Sequence, residues 1–164
     1  MDLEGLSLEE LFYTAIKAEM DSKEAYSIMA GITRNAFLKD RFRFLAGEEE
    51  KHRSFLTQQY EVQFPSKALE LPAVSHVPLP EIDVKNGHLS ISDLLQQAMN
   101  AERAACDFYQ SFAKFVKSDK ALATTLGYFA RMEESHYQML KQELEAEEEF
   151  ETFDNFNPGM HLGP

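Results

Sequence analysis

Two Glu-x-x-His motifs carry the side chains of this sequence that are best suited to chemistry. Within residues 44–52, the helical period places Glu49 and His52 one turn apart on one face. Glu133 and His136 repeat this spacing 84 positions later. Apolar residues flank both pairs at helical spacing, so both pairs are predicted to be buried, where an isolated charge is costly. Two such pairs at matching positions indicate a bound metal.

An internal repeat adds two more carboxylates to these motifs. Residues 7–26 align with residues 90–109 at a constant offset of 83, which pairs Glu19 with Glu102. Because a repeat of this kind fixes architecture, the chain is predicted to consist of two similar helical hairpins. Each hairpin contributes one Glu and then one Glu-x-x-His motif.

Four predicted helices position these residues. Helix one begins at Ser7, which forms a capping box with Glu10, and ends near residues 33–35. Helix two spans about residues 36–60, helix three begins at residue 90, and helix four begins near residue 118 and continues into an acidic stretch at 143–149. Four prolines between residues 64 and 87 exclude a long helix there. We expect a crossover along the bundle that leaves helices two and three parallel.

The helical register brings the candidate ligands to one level. In each hairpin the isolated Glu lies about 15 residues before the turn and the Glu-x-x-His pair about 14 to 18 residues after it, so at about 1.5 Å rise per residue they meet. The predicted metal ligands are Glu19, Glu49, His52, Glu102, Glu133 and His136.

This ligand set suits particular metals. Carboxylates and imidazoles favour iron or manganese, and zinc would also bind. Two divalent cations neutralise four carboxylates, which gives a physical reason for burying them. A Glu from each of two helices and Glu-x-x-His from the other two is the ligand pattern of di-iron and di-manganese carboxylate bundles. We expect the two motif glutamates to bridge the metals, the two isolated glutamates to be terminal ligands, and each His to cap one metal.

Other side chains near the predicted site have two interpretations each. Tyr26 and Tyr109 lie two turns beyond the isolated glutamates; they either hydrogen-bond a ligand carboxylate or relay an electron, or they are ordinary core tyrosines. Cys106 is predicted to be a buried structural thiol. Three acidic residues beside the motifs are predicted to face solvent: Glu48, Glu50 and Glu134.

The composition narrows the class of protein. The 164 residues are rich in Glu, Leu, Ala and Lys and poor in Gly, which favours one all-α domain. The bundle is predicted over residues 1–149, with the crossover at about 62–89 and an aromatic C-terminal tail at 150–164. A net charge of −12 argues against nucleic acid or an anionic membrane as partner. The single cysteine excludes Cys-based metal sites and suits a reducing compartment, and the sequence shows neither a signal peptide nor a membrane span, so we expect a cytoplasmic location.

Over residues 7–148 the chain resembles rubrerythrin-type members of the ferritin-like superfamily. The motifs that carry the resemblance are Ala18-Glu19…Tyr26, Glu49-x-x-His52, Ala101-Glu102…Tyr109 and Glu133-x-x-His136. The resemblance implies a four-helix bundle with a long crossover between helices two and three. Rubrerythrins have a further Glu one turn after the helix-three ligand, where this chain has Ala105 and Cys106. The remaining six-ligand set is similar to a bacterioferritin-like ferroxidase centre.

The activity implied by the resemblance is non-haem di-iron redox chemistry with two iron ions as cofactor. This chemistry is either the oxidation of Fe(II) by dioxygen or hydrogen peroxide, or the reduction of peroxide. Since this sequence has no four-Cys rubredoxin module, reductive turnover would need an external electron donor protein. The alternatives are iron storage or buffering, a di-manganese or mixed-metal site without peroxidase activity, and a structural module with a vestigial site. We expect a homodimer, and the long crossover also permits an exchange of helices between subunits.

Overall fold

Four helices make up the described part of the chain. The computed structural model describes residues 1, 3–73, 75 and 77–156, with side chains described to residue 149. The helices are α1 (Leu8–Ile32), α2 (Ala36–Gln63), α3 (Ile91–Phe115) and α4 (Lys120–Phe156). No strand occurs among these residues, so the all-α prediction is confirmed. None of the described helices combines the length and the apolar character that a membrane crossing requires.

Local sequence determines where the helices begin. Ser7 and Ser90 both form complete capping boxes, with Glu10 and Asp93 respectively. The Asn35 side chain accepts hydrogen bonds from two backbone N–H groups in the first turn of α2. These side chains satisfy backbone donors that the first turn of a helix leaves without partners. The predicted helix starts are therefore confirmed.

Two helices are longer than the sequence predicted. Helix α2 continues three residues beyond Tyr60, and α4 continues past residue 149 to Phe156. Neither Gly nor Pro interrupts these extensions, and Pro158 follows α4 by two residues. The side chains of the predicted aromatic tail, residues 150–164, lie outside the described residues, as does the backbone after Phe156.

The helices pack as two hairpins, α1 with α2 and α3 with α4. Across the hairpins, Tyr26 contacts Glu102 and Tyr109 contacts Glu19, so rising residue numbers in α1 match falling numbers in α3. Helices α1 and α3 are therefore antiparallel. Because α1 and α2 are joined by a short turn and are also antiparallel, α2 and α3 are parallel, as the crossover prediction required.

Two apolar cores lie on either side of the ligand layer. One combines the N-terminal halves of α1 and α4 with the C-terminal halves of α2 and α3, and it includes Phe12, Tyr60 and Phe112. The other combines the opposite halves and includes Phe42 and Leu95. The crossover packs first against the former core, through residues 69–79, and then against the latter, through residues 82–89. It thus runs along the bundle past the level of the predicted ligands.

Candidate metal centre

All six predicted ligands meet in the layer between the two cores. Each has at most 3% of its surface exposed. They form two overlapping groups whose candidate ligand atoms lie within 4.8 Å of one another. The first group is Glu19, Glu49, His52 and Glu133, and the second is Glu49, Glu102, Glu133 and His136. The two groups share the glutamates of the Glu-x-x-His motifs.

The first group surrounds the imidazole of His52. Its Nδ1 atom lies 3.0 Å from Glu133 Oε1, 3.5 Å from Glu49 Oε2 and 3.6 Å from Glu19 Oε2. Three carboxylates from three different helices therefore face one imidazole nitrogen.

The second group repeats this arrangement around His136. Its Nδ1 atom lies 3.1 Å from Glu133 Oε2, 3.6 Å from Glu49 Oε1 and 3.6 Å from Glu102 Oε2. Glu49 and Glu133 thus direct one oxygen towards each imidazole. A carboxylate in this orientation can bridge two cations.

Two tyrosines orient the outer carboxylates. Tyr109 Oη donates a hydrogen bond to Glu19 Oε1, and Tyr26 Oη donates one to Glu102 Oε1. Each glutamate keeps its Oε2 atom for the neighbouring imidazole. Of the two sequence interpretations, hydrogen bonding to a candidate ligand is what the structure shows.

The crosswise pairing of these tyrosines was not predicted, although its cause is simple. Side chains of a helix lean towards its N-terminus. In the antiparallel helices α1 and α3, Tyr109 and Glu19 therefore lean towards each other, as do Tyr26 and Glu102. A seven-residue Glu-to-Tyr spacing on both helices was the signal in the sequence.

Burial and neighbouring charge divide the four carboxyl groups into two kinds. Burial, with the Glu49 charge, raises the pKa of Glu19 to about 8. The same two causes raise the pKa of Glu102 well above its usual range. Burial also acts to raise the pKa of Glu49 and Glu133, but contacts with the two imidazoles outweigh it and lower both pKa values.

The pKa values of the two imidazoles are raised, whereas burial without a charged partner lowers the pKa of a histidine. Burial acts to lower the pKa of His52, but the surrounding carboxylates of Glu133, Glu19 and Glu49 outweigh it and raise that pKa to about 12. The pKa of His136 is raised for the same reason. These shifts favour two imidazolium ions, two carboxylates and two neutral carboxylic acids, a distribution that would make the metal-free cluster electrically neutral.

Some polar atoms of the metal-free cluster make no good hydrogen bond even when the imidazoles and two carboxyl groups are protonated. Four buried atoms of the cluster lack a hydrogen bond of good geometry: Oε1 of Glu49, Oε1 of Glu133 and both ring nitrogens of His52, although Glu133 Oε1 lies 3.0 Å from His52 Nδ1. Each such atom costs about 1–3 kcal/mol when left unsatisfied. Carboxylate oxygens and imidazole nitrogens are the donors that iron, manganese and zinc accept in proteins. The donor set therefore fits two divalent metal ions.

The structure also places the residues near the motifs. Glu50 pairs with Lys23 and Arg53 at the surface, as predicted for a solvated residue. Glu134 likewise pairs with Arg103. The prediction for Glu48 was wrong, because its side chain is only 12% exposed and contacts Lys51 Nζ at 2.5 Å.

Two further side chains complete the surroundings. Cys106 is buried, as predicted, and it accepts a hydrogen bond from Gln110 Nε2 at 3.3 Å. The ring of Phe129 stacks on the imidazole of His52, with centroids 4.1 Å apart. The sequence placed Phe129 on the apolar stripe beside Glu133 but gave no sign of this stacking.

Comparisons with known proteins agree with the fold. The sequence model of the family Rubrerythrin matches residues 10–149. A solved structure of a hypothetical protein from Pyrococcus furiosus is 35% identical, covers 88% of this chain and 92% of its own, and superposes with a TM-score of 0.77. Among curated proteins no sequence matches. Since the matched region spans all six converging side chains, the chain belongs to the rubrerythrin family.

Proposed function

We propose that this protein is a non-haem di-iron oxidoreductase that oxidises Fe(II) with dioxygen or hydrogen peroxide, or reduces peroxide with electrons from an external donor protein. The observation that carries the proposal is the pair of ligand groups that share Glu49 and Glu133. The buried ligand atoms that lack hydrogen-bond partners would be satisfied by bound cations. Two iron ions would balance the four carboxylates.

Each side chain has a definite task in this proposal. Glu49 and Glu133 would hold both metals, since each directs one oxygen to either imidazole. His52 with Glu19 would hold one ion, and His136 with the remaining glutamate would hold the other. A bound pair of iron ions would supply two electrons to dioxygen or peroxide.

The protein surroundings support this task in two ways. The phenols of Tyr26 and Tyr109 fix the outer carboxylates through hydrogen bonds. Such partners of metal ligands orient them and adjust their basicity. The two apolar cores exclude bulk water from both ends of the layer, which strengthens electrostatic interactions inside it.

Metal analysis combined with an oxidation assay tests the proposal. The purified protein is loaded anaerobically with Fe(II), its metal content is measured, and the reduced form is mixed with dioxygen or with peroxide. We expect about two iron ions per chain and oxidation faster than in protein-free buffer. Less than one iron ion per chain, or oxidation no faster than that blank, would refute the proposal.

Matched variants test whether the activity arises at this site. Glu133→Gln removes a shared ligand charge, whereas Glu134→Gln changes a neighbouring side chain that faces outwards and pairs with Arg103. We expect the first variant to lose iron binding and oxidation and the second to keep both. Glu49→Gln and Glu50→Gln form an equivalent pair on α2.

The same preparation distinguishes the alternatives. Iron storage predicts a large hollow shell, so a homodimer in light scattering would argue against it. Retention of manganese in place of iron, without oxidation, would favour a di-manganese site. The homodimer, the exchange of helices and the cytoplasmic location stay predictions.

A further inference from the structure

A chain of aromatic rings begins at the candidate metal centre. The imidazole of His52 stacks on Phe129 with centroids 4.1 Å apart. Phe129 meets Tyr109 at 5.6 Å, and Tyr109 meets Phe108 at 5.6 Å. Tyr109 also donates its hydrogen bond to Glu19, so the chain contacts the centre at two points.

The chain continues to the end of the bundle without a gap. The ring of Phe112 lies 5.8 Å from the last ring of the inner part and 5.4 Å from Phe12. Phe12 meets Tyr60 at 6.2 Å, and Tyr60 meets Tyr13 at 5.6 Å. Tyr60 is fully buried and Tyr13 is half-buried, so the chain ends near solvent.

The two terminal tyrosines share one carboxylate. The Oη atoms of Tyr13 and Tyr60 lie 3.1 Å apart, and each donates to Glu9 Oε1 at 3.0 Å. Lys67 Nζ contacts the other oxygen of Glu9 at 2.6 Å. This contact lowers the pKa of Glu9 and keeps its carboxylate ionised, and the hydrogen bonds from both phenols place that carboxylate where it can accept the proton that an oxidised phenol releases.

The opposite end of the bundle shows that the helices pack well without these rings. At offsets of 83 or 84, the rings outside the ligand layer correspond to aliphatic or polar side chains. Phe12, Phe108, Phe112, Phe129, Tyr60 and Tyr13 match Leu95, Ala25, Met29, Leu45, Leu144 and Gln96. The five aliphatic counterparts are themselves buried. Packing alone therefore does not explain why one end of the bundle carries a continuous series of rings.

We propose that Tyr13 and Tyr60 form a redox-active pair that supplies electrons to the metal centre through this aromatic chain. The inference rests on the proposed function, with hydrogen peroxide as the oxidant. Each phenol loses one electron and one proton, and the proton leaves through Glu9. With the bound iron already oxidised, two phenols reduce one peroxide molecule to two water molecules and become two phenoxyl radicals.

The pair has two fates after oxidation. A one-electron reductant such as ascorbate returns both phenols to their resting state. Without a reductant, the neighbouring radicals form a carbon–carbon bond between their rings and yield fluorescent dityrosine. The pair would hold two reducing equivalents for a centre whose external donor is absent or slow.

The experiment uses the full polypeptide loaded anaerobically with Fe(II) and mixed with two equivalents of hydrogen peroxide per pair of iron ions, of which the first oxidises the iron and the second oxidises the phenols. Freeze-quench EPR detects phenoxyl radicals, and mass spectrometry detects a peptide crosslink between residues 13 and 60. We expect both signals in the unaltered protein and their suppression by ascorbate. Tyr60→Phe should abolish the crosslink. Tyr128→Phe should preserve it, because Tyr128 is exposed and is not part of the aromatic chain.

Variants that interrupt the series of aromatic rings test whether it connects the tyrosine pair to the metal centre. Phe12→Leu and Phe112→Met introduce the residues that the other repeat carries at these positions, so the fold should tolerate them. We expect either variant to bind iron normally and to lose most of the radical at the pair. An unchanged radical yield in both folded variants would overturn the chain as the route.

A metal-free measurement separates this proposal from the proposed function. Azide radicals generated by pulse radiolysis oxidise tyrosines without any metal. We expect the phenoxyl radical to settle on the terminal pair and to disappear in the Tyr13→Phe/Tyr60→Phe double variant. No preference for the pair would overturn its redox role, whatever the iron assays show. A third outcome is a radical that settles on the pair in the metal-free protein and normal iron oxidation in the loaded protein, but no crosslink there. That outcome would overturn the proposed electron transfer between the tyrosine pair and the metal centre.

Discussion

Metal binding to this cluster should release protons, and the structure indicates how many. At pH 7 the raised pKa values keep both imidazoles and the carboxyl group of Glu19 protonated, and they favour the protonated form of Glu102 as well. A metal ion needs a neutral imidazole and an ionised carboxylate. Two ions that occupy the two groups would therefore displace about four protons, one from each of these side chains.

The pH dependence of affinity follows from this count. Each ion displaces about two protons, so its association constant should rise about a hundredfold per pH unit, or about 2.7 kcal/mol. The sign is positive because protons compete with the metal for the same atoms. Above pH about 8, Glu19 is already ionised, so the group containing His52 should then release about one proton and its dependence should be shallower.

Calorimetry with zinc measures this release without redox chemistry. Titrations at one pH in several buffers of different ionisation enthalpy give the number of protons from the slope of observed enthalpy against buffer enthalpy. Repeating them between pH 6 and 9 gives the affinity profile. Glu19→Gln provides the control, since its amide carries no exchangeable acid proton and should reduce the release by about one.

The result that would refute this reasoning is specific. Release of no protons at pH 7, with stoichiometric binding, would mean that the ligands are already in their metal-ready forms. The charge-neutral cluster of two imidazolium ions, two carboxylates and two carboxylic acids would then be wrong.

Three further predictions concern stability. Folding raises the pKa of Glu19 from 4.5 to about 8 and that of His52 from 6.5 to about 12. The contribution of each group to the free energy of unfolding is therefore complete below its unfolded pKa and is lost as pH rises to its folded pKa. The metal-free protein should thus lose stability in urea denaturation between pH 5 and 9, and a constant stability would contradict this. Tyr109→Phe should cost about 1–3 kcal/mol in the metal-free protein because Glu19 loses its buried donor, whereas Tyr128→Phe should show little change. Ser90→Ala should cost about 1 kcal/mol in thermal denaturation through loss of the capping box, and recovery in Ser90→Thr would confirm the hydroxyl as the cause.

The parts of the fold that local chemistry controls could be predicted from the sequence. Ser7 and Ser90 mark helix starts because a hydroxyl with an acidic residue three positions later satisfies backbone donors within the same turn. The convergence of the six side chains was predictable because a rigid helix converts sequence spacing into height. Both conclusions needed only short-range geometry and the repeat.

The parts that depend on neighbouring helices were harder to predict. Glu48 was expected in solvent, yet its side chain is mostly covered. The hydrogen bonds of Tyr26 and Tyr109 cross from one hairpin to the other, so the relative direction of α1 and α3 had to be known first. The pairing of Phe129 with His52 depends on how closely α4 approaches α2, which sequence spacing does not specify.

The repeat predicts a symmetric ligand set, but the surroundings of its two halves differ. His52 stacks on the ring of Phe129 at 4.1 Å, whereas the phenyl ring that meets His136 is that of Phe44, in an edge contact at 6.5 Å, and Phe44 is half exposed. The counterpart of Phe129 in the other half is Leu45. The apolar shell around a metal site controls solvent access and local dielectric constant, and through them redox potential. Two metal ions with identical ligand types would therefore occupy inequivalent positions, and the aromatic chain leads away from the one whose imidazole stacks on Phe129.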